Sequence, residues 1–171
     1  MSAVAHPKLG LRPYLPSDAA LLADIFRASI EELTGDDYTP EQQEAWAALA
    51  DDEADFAARL ASRLTLVATV SGSVVGFAAL EGADNIDMLY VHPAVVGQGI
   101  GKMLLGALEK LAASRGAAKL VVQASDSASG FFQHYGFVAQ TRNTVLRGEE
   151  WLANTTMEKQ LAAAEPGKPT S

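Results

Sequence analysis

The chain has 171 residues, 49% of them hydrophobic and 20% charged, with no cysteine and a formal net charge of -8. The length suits one domain with its own core, and the lack of cysteine excludes disulfides, thiolate metal sites and a cysteine nucleophile. The acidity argues against nucleic acid, whose phosphates need clustered lysine and arginine. No apolar run reaches the roughly 18 residues of a membrane span. "MSAVAHPKLGLRP" has no basic stretch ahead of an apolar one, so the reading is a cytoplasmic protein with no membrane partner.

In chain order, "KLGLRPYLP" (Lys8 to Pro16) alternates apolar and polar residues and predicts a first strand. Ser17 or Asp18 can cap a helix whose stripe is Leu22, Ile25, Phe26 and Ile30, closed at Gly35. Thr39, Pro40 and Gln42 spell a capping box ahead of "EQQEAWAALA", and Asp52 can start a third helix through Phe56 and Leu60. The period then changes. "LTLVATV" and "SVVGFAALEG" read as a hairpin turned at Ser71-Gly72, followed by the strand "NIDMLYVHP". A helix over about 99–114, a buried strand "AKLVVQAS", a short helix closed by Gly136 and two final strands complete the domain, taken as residues 1–162. Residues 163–171, "AAEPGKPTS", read as a disordered tail. Hairpins mixed with crossovers predict an α/β fold with a mixed sheet.

Gly97, Gly99 and Gly101 sit between the strand ending "LYVHP" and the helix after it. Without Cβ atoms the backbone there can approach a ligand closely, and the first turn of a helix presents unpaired N–H groups and partial positive charge. Together they make an anion site, best suited to phosphate. The spacing fits neither the dinucleotide fingerprint nor the P-loop, because the third glycine comes one residue early, Val96 fills the first P-loop glycine and Met103 its Ser/Thr. A strand-to-helix turn with no ligand is the alternative.

"VHPAVVGQGIGKMLL" resembles the coenzyme A loop of the GNAT superfamily of N-acetyltransferases, (Arg/Gln)-x-x-Gly-x-(Gly/Ala), with Gly99 and Gly101 on its two small positions and Val96 in place of Arg/Gln. "SDSASGFFQHYGF" is similar to the family's Asn-x-x-Ala…(Phe/Leu)-Tyr-x-x-x-Gly-Phe segment, with Ser125 for Asn and Phe132 for Tyr. The resemblance covers about residues 8–161. It implies a splayed mixed sheet flanked by helices, acetyl-CoA as cosubstrate, and a pantetheine arm lying between the diverging strands "NIDMLYV" and "LVVQAS". On this resemblance the cofactor contacts are Leu89, Tyr90, Val91, Val96, Gly97, Gln98, Gly99, Ile100, Gly101, Lys102, Ser125 and Phe132.

Acetyl transfer to an alkyl ammonium, whose pKa is near 10.4, requires loss of a proton, and the departing thiolate gains from a donor. With no cysteine, direct attack in a ternary complex is the simplest route. Asp87 is the candidate base: a carboxylate in an apolar strand, placed by alternation on one side with Asn85, Leu89 and Val91, where burial raises its pKa. A hydrated Asp is the alternative. Phe132 cannot donate a proton, which leaves Tyr135 or water as the acid. Asp36, Asp37, Tyr38, Glu41 and Glu44 suggest a rim for a cationic amine, with Asp36 and Tyr38 as substrate contacts, or else a solvated loop and helix face. His92, before Pro93, reads as structural, and no His spacing suggests a metal. The expected partner is a small-molecule or peptide amine, with a homodimer possible through the terminal strands. A second class remains open: a CoA-binding sensor without turnover, suggested by the departures at Val96 and Phe132.

Overall fold

The computed structural model describes residues 8–161, and the tail expected over 163–171 lies outside them. The strands are β1 (Leu9–Pro13), β2 (Leu64–Val70), β3 (Ser73–Glu81), β4 (Asn85–Val91), β5 (Lys119–Ser125), β6 (Val138–Arg147) and β7 (Glu150–Gln160). The helices are α1 (Ala19–Leu33), α2 (Pro40–Ala47), α3 (Glu53–Ser62), α4 (Ile100–Ser114) and α5 (Ser129–His134). One seven-stranded sheet runs in the order β1-β2-β3-β4-β5-β7-β6. Only β4 and β5 pair in parallel, because α4 crosses between them; every other pairing is antiparallel. The expected mixed α/β fold is present.

Local signals set most boundaries. Thr39 Oγ1 accepts the Gln42 N–H at 3.1 Å while Gln42 Oε1 accepts the Thr39 N–H at 2.9 Å, the reciprocal box that starts α2. Asp52 accepts the Asp55 N–H at 3.0 Å and starts α3. Ser71 and Gly72 both take positive φ, 50° and 86°, which turns β2 into β3 with the twist the strands need. The start of α1 departs from expectation. Asp18 flanks the helix but makes no side-chain cap. Its carboxylate instead accepts two N–H groups of Arg12 at 2.8 Å and the Leu15 N–H at 2.8 Å, and the Arg12 bonds, the largest influence, hold its pKa below the ordinary value. The first strand also stops at Pro13, three residues early.

The sheet has a core on each face. On one, Leu104, Leu105 and Leu108 of α4 pack with Ile86, Leu120, Phe132 and Phe137. On the other, Leu22 and Phe26 of α1 and Phe56 and Leu60 of α3 cover Phe77 and Met88. Phe56 contacts Phe26 and Phe77 at ring-centroid distances of 5.4 and 6.3 Å. β4 is thus buried on both sides, and whatever its residues present to a ligand must be reached along its edge.

Candidate active site

β4 and β5 pair only at Asn85–Val121 and Ile86–Val122. Beyond Ile86 they part, and the β5-facing backbone edge of β4 opens onto a cavity of about 710 Å³. The splay expected from the sequence is therefore present. At its mouth Gly97 and Gly99 have φ of 88° and 85°, a left-handed conformation that costs an L-residue about 1–2 kcal/mol. Gly99 flanks the start of α4. The first intrahelical bond runs from the Met103 N–H to the Gly99 carbonyl at 3.0 Å, so the N–H groups of Ile100, Gly101 and Lys102 precede the ladder and face outward. Gly101 has a separate reason: a Cβ there would stand 3.0 Å from Cε1 of Phe131, whose ring closes over the turn.

Of the cofactor contacts expected, all but Gln98 line this one cavity. The Gln98 N–H already donates to the Val95 carbonyl at 3.3 Å. The Val91 carbonyl accepts the Ser29 hydroxyl at 2.6 Å, tying α1 to β4 at the cavity wall. Ser125 Oγ accepts the Ala128 N–H at 3.1 Å and shapes the turn into α5. Phe132 is buried at 4% exposure against Phe131 and Phe137, while Tyr135, half-buried one turn on, lines the cavity with its ring 5.0 Å from Phe131.

Asp87 lies in the cavity wall, but not as alternation predicts. Ala79 pairs with Met88 and Leu80 with Ile86, so Asp87 is the extra residue of a β-bulge. The bulge breaks the period: Ile86, Leu89 and Val91 pack on the α4 side, Met88 on the other, and Asp87 turns with Met88 toward α3. There Arg59 grips it twice, Nε to Oδ2 at 2.9 Å and Nη2 to Oδ1 at 2.8 Å, and Arg63 Nε reaches Oδ2 at 3.1 Å. Arg63 also faces Glu81 at 3.4 Å. The expected rise in pKa is corrected. Burial does push the carboxyl up, but hydrogen bonds and charge from Arg59, then from Arg63, outweigh it and hold the pKa below the ordinary 3.8.

The acidic rim is not assembled. Asp36 is exposed and outside the cavity lining. Asp37 accepts the Ser127 hydroxyl at 2.8 Å. Glu41 and Glu44 border a separate groove with Arg27 and Asp51. Tyr38 does line the cavity, with its hydroxyl already committed: it donates to the Ala153 carbonyl at 2.6 Å and accepts the Asp126 N–H at 2.9 Å. Burial, chiefly, raises its pKa. His92 Nδ1 accepts the Ala94 N–H at 3.0 Å, the structural role expected. No cluster of metal-ligating side chains exists among the described residues.

The sequence reading passed over Arg59, Arg63 and Arg147. Arg59 lies in the last turn of α3, and Arg63, in extended conformation, is the residue that ends the helix; two arginines four apart at a helix end were the available signal. Trp46 is half-buried and lines the cavity. The Tyr90 ring leaves the cofactor side of β4 and wedges between Phe26, at 4.7 Å, and Phe77, at 5.7 Å. Burial drives its hydroxyl up to about 12, against the pull of the Trp46 indole and the charges of Arg59 and Arg147.

Residues 34–161 match the acetyltransferase (GNAT) domain family. The chain is 32% identical over 147 residues to the uncharacterized N-acetyltransferase YafP of Escherichia coli strain K12, covering 86% of this chain and 93% of that one. It is 32% identical over 124 residues to the peptidyl-lysine N-acetyltransferase YjaB of Salmonella typhimurium, covering 72% and 69%. It superposes with a TM-score of 0.89, at 61% identity, on a crystal structure from Rhodopseudomonas palustris described as a GCN5-related N-acetyltransferase, aminotransferase class II, covering 94% and 99% of the two chains. An enzyme is thereby favoured over a CoA-binding sensor, and acetyl-CoA is its cosubstrate. The chain belongs to the GNAT family of acetyl-CoA-dependent N-acetyltransferases.

Proposed function

We propose that the enzyme acetylates a primary amine by direct attack in a ternary complex held in the opening between β4 and β5. The observation that carries this is a single cavity lined both by the first turn of α4 and by Asp87, its one carboxylate among the described residues. The pyrophosphate would sit on the amides from Gly97 to Lys102, with the Lys102 ammonium and the helix dipole adding positive charge. The pantetheine amides would pair with the free edge of β4 at Leu89 and Val91, and Phe132 would pack against the arm. The thioester then reaches the middle of β4, beside the bulge.

The amine nitrogen attacks the thioester carbonyl; the C–N bond forms, the C–S bond breaks and the thiolate departs. Asp87, locked by Arg59 and Arg63, would accept a hydrogen bond from the amine and pass its proton to water. A carboxylate held below its ordinary pKa is a weak terminal base, so the enzyme depends on the fraction of amine already neutral. Tyr135 would return a proton to the thiolate. Tyr38, whose hydroxyl ties α2's leading loop to β7 and to the β5–α5 turn, would shape the acceptor end.

A free-thiol release assay over a panel of amines and peptides, paired with acetyl-CoA calorimetry, tests the reading. Thiol release that depends on the amine supports it. Binding of acetyl-CoA with no release on any amine or peptide contradicts it.

A further inference from the structure

The charges in the cavity run against those of the chain. The protein carries a net charge of -8, yet among the described residues Asp87 is the only acid in the cavity lining, against three bases, Arg59, Lys102 and Arg147. Lys102 belongs to the phosphate end, beside the glycine turn. Arg59 is spent on Asp87, and Arg63 behind it on Asp87 and Glu81. Arg147 alone is left over. It has no carboxylate within salt-bridge distance among the described residues, and its single hydrogen bond goes to the neighbouring Leu146 carbonyl at 3.1 Å.

Arg147 is also held in place. It closes β6 at the hairpin into β7, and that hairpin is tied to α2, where Gln42 Nε2 donates to the Trp151 carbonyl at 2.8 Å. Arg147 and Trp46 both line the cavity. The charges of Arg59, Asp87 and Arg147 are all felt at the Tyr90 hydroxyl, so they converge on one region. Leu33, Leu49 and Leu152 also line the cavity, beside the polar Asn85 and Asn154.

A cavity lined by one uncompensated guanidinium, several leucines and a carboxylate already shared by two arginines is poorly suited to a dication. It suits an acceptor with an anionic end. Guanidinium matches carboxylate with two parallel N–H···O bonds, which fix orientation as well as charge. We propose that the acceptor is a small amino carboxylate with an apolar body, its carboxylate received by Arg147 and its amine directed toward Asp87 and the thioester. This rests on the acetyl-transfer reading above and names the class of acceptor for that site. The product is an N-acetylated carboxylate, neutral at nitrogen.

The test is free-thiol release from acetyl-CoA with apolar α- and ω-amino acids, each beside its primary amide, and with a cationic lysine peptide. Wild type, Arg147→Gln and Arg147→Lys are compared, each checked by its melting curve. Wild type should prefer each favoured carboxylate over its amide by about 10- to 100-fold in kcat/KM, the range of a charge-assisted pair. In Arg147→Gln that ratio should collapse toward one, mainly through KM; Arg147→Lys should fall between. Amides equal to or better than carboxylates, a preference that survives Arg147→Gln, or the lysine peptide as the best acceptor each overturns the proposal and leaves acetyl transfer standing. No release from any amine, with acetyl-CoA bound, overturns both.

Discussion

Replacing Asp87 by Asn separates a structural role from a chemical one. Asp87 receives three charge-assisted hydrogen bonds, at 2.8, 2.9 and 3.1 Å, and its side chain is 11% exposed, against 35% for Arg59 and 22% for Arg63. Bonds of this kind contribute about 1.5–3 kcal/mol each, offset by desolvation of the carboxylate. Asn keeps one acceptor oxygen, and water screens the Arg59 end, so the net loss should be about 2 kcal/mol. For a chain of this length that is a fall of about 4–8 °C in Tm by calorimetry at pH 7. The folded carboxyl is held below its ordinary 3.8, so its contribution is complete above about pH 4 and lost as pH falls through the folded value. The gap between wild type and Asp87→Asn should therefore narrow only in that acid range. Turnover of the variant at pH 7 should drop by about 100-fold or more. A melting point within about 1 °C of wild type refutes the ion-pair reasoning. Near-normal turnover removes Asp87 from the chemistry.

Because Asp87 titrates low, kcat/KM should keep rising with pH until the acceptor amine itself is neutral, near pH 10 for an alkyl amine, and a plateau beginning near pH 6–7 would point to a tuned base instead. Gly99→Ala places a Cβ at φ 85°; it should cost about 1–2 kcal/mol in a melt and weaken coenzyme A in calorimetry, and unchanged affinity would contradict the role of the turn. Gly101→Ala drives a methyl toward the Phe131 ring at 3.0 Å; it should destabilise by about 1 kcal/mol, with part of that recovered in a Gly101→Ala, Phe131→Leu double variant, and strict additivity would contradict the contact. Tyr135→Phe should slow turnover by about 10-fold or more in the thiol assay, whereas full activity at every pH makes Tyr135 structural.

The sequence carried the fold well because its signals are local. The capping box at Thr39–Gln42, the Ser71-Gly72 turn and the glycines at 97 and 99 each act through their own few residues, and each does so in the structure. The opening between β4 and β5 was legible through the family resemblance, since nothing in "NIDMLYV" alone says where its pairing ends. The site's electrostatics were not legible. A bulge at Asp87 arises from the register of β3 against β4, and a one-residue extra there reverses which face a side chain meets. Arg59 meets Asp87 across 28 residues of sequence, and the Tyr38 hydroxyl meets Ala153 across 115, so neither pairing leaves a local mark. Counting acids near Tyr38 misled for the same reason: exposed carboxylates adjacent in sequence point to solvent, to Ser127 or to another groove, and the acid that lines the cavity among the described residues is Asp87.

On this reading the amides at the start of α4 hold a diphosphate and so direct a thioester between β4 and β5. A crystal structure of the protein with acetyl-CoA tests it most directly. Diphosphate oxygens should lie about 3 Å from the N–H groups between Gly97 and Lys102, with the pantetheine along β4 and the acetyl group beside Asp87. A diphosphate bound elsewhere, or an arm lying outside the opening between the two strands, contradicts it.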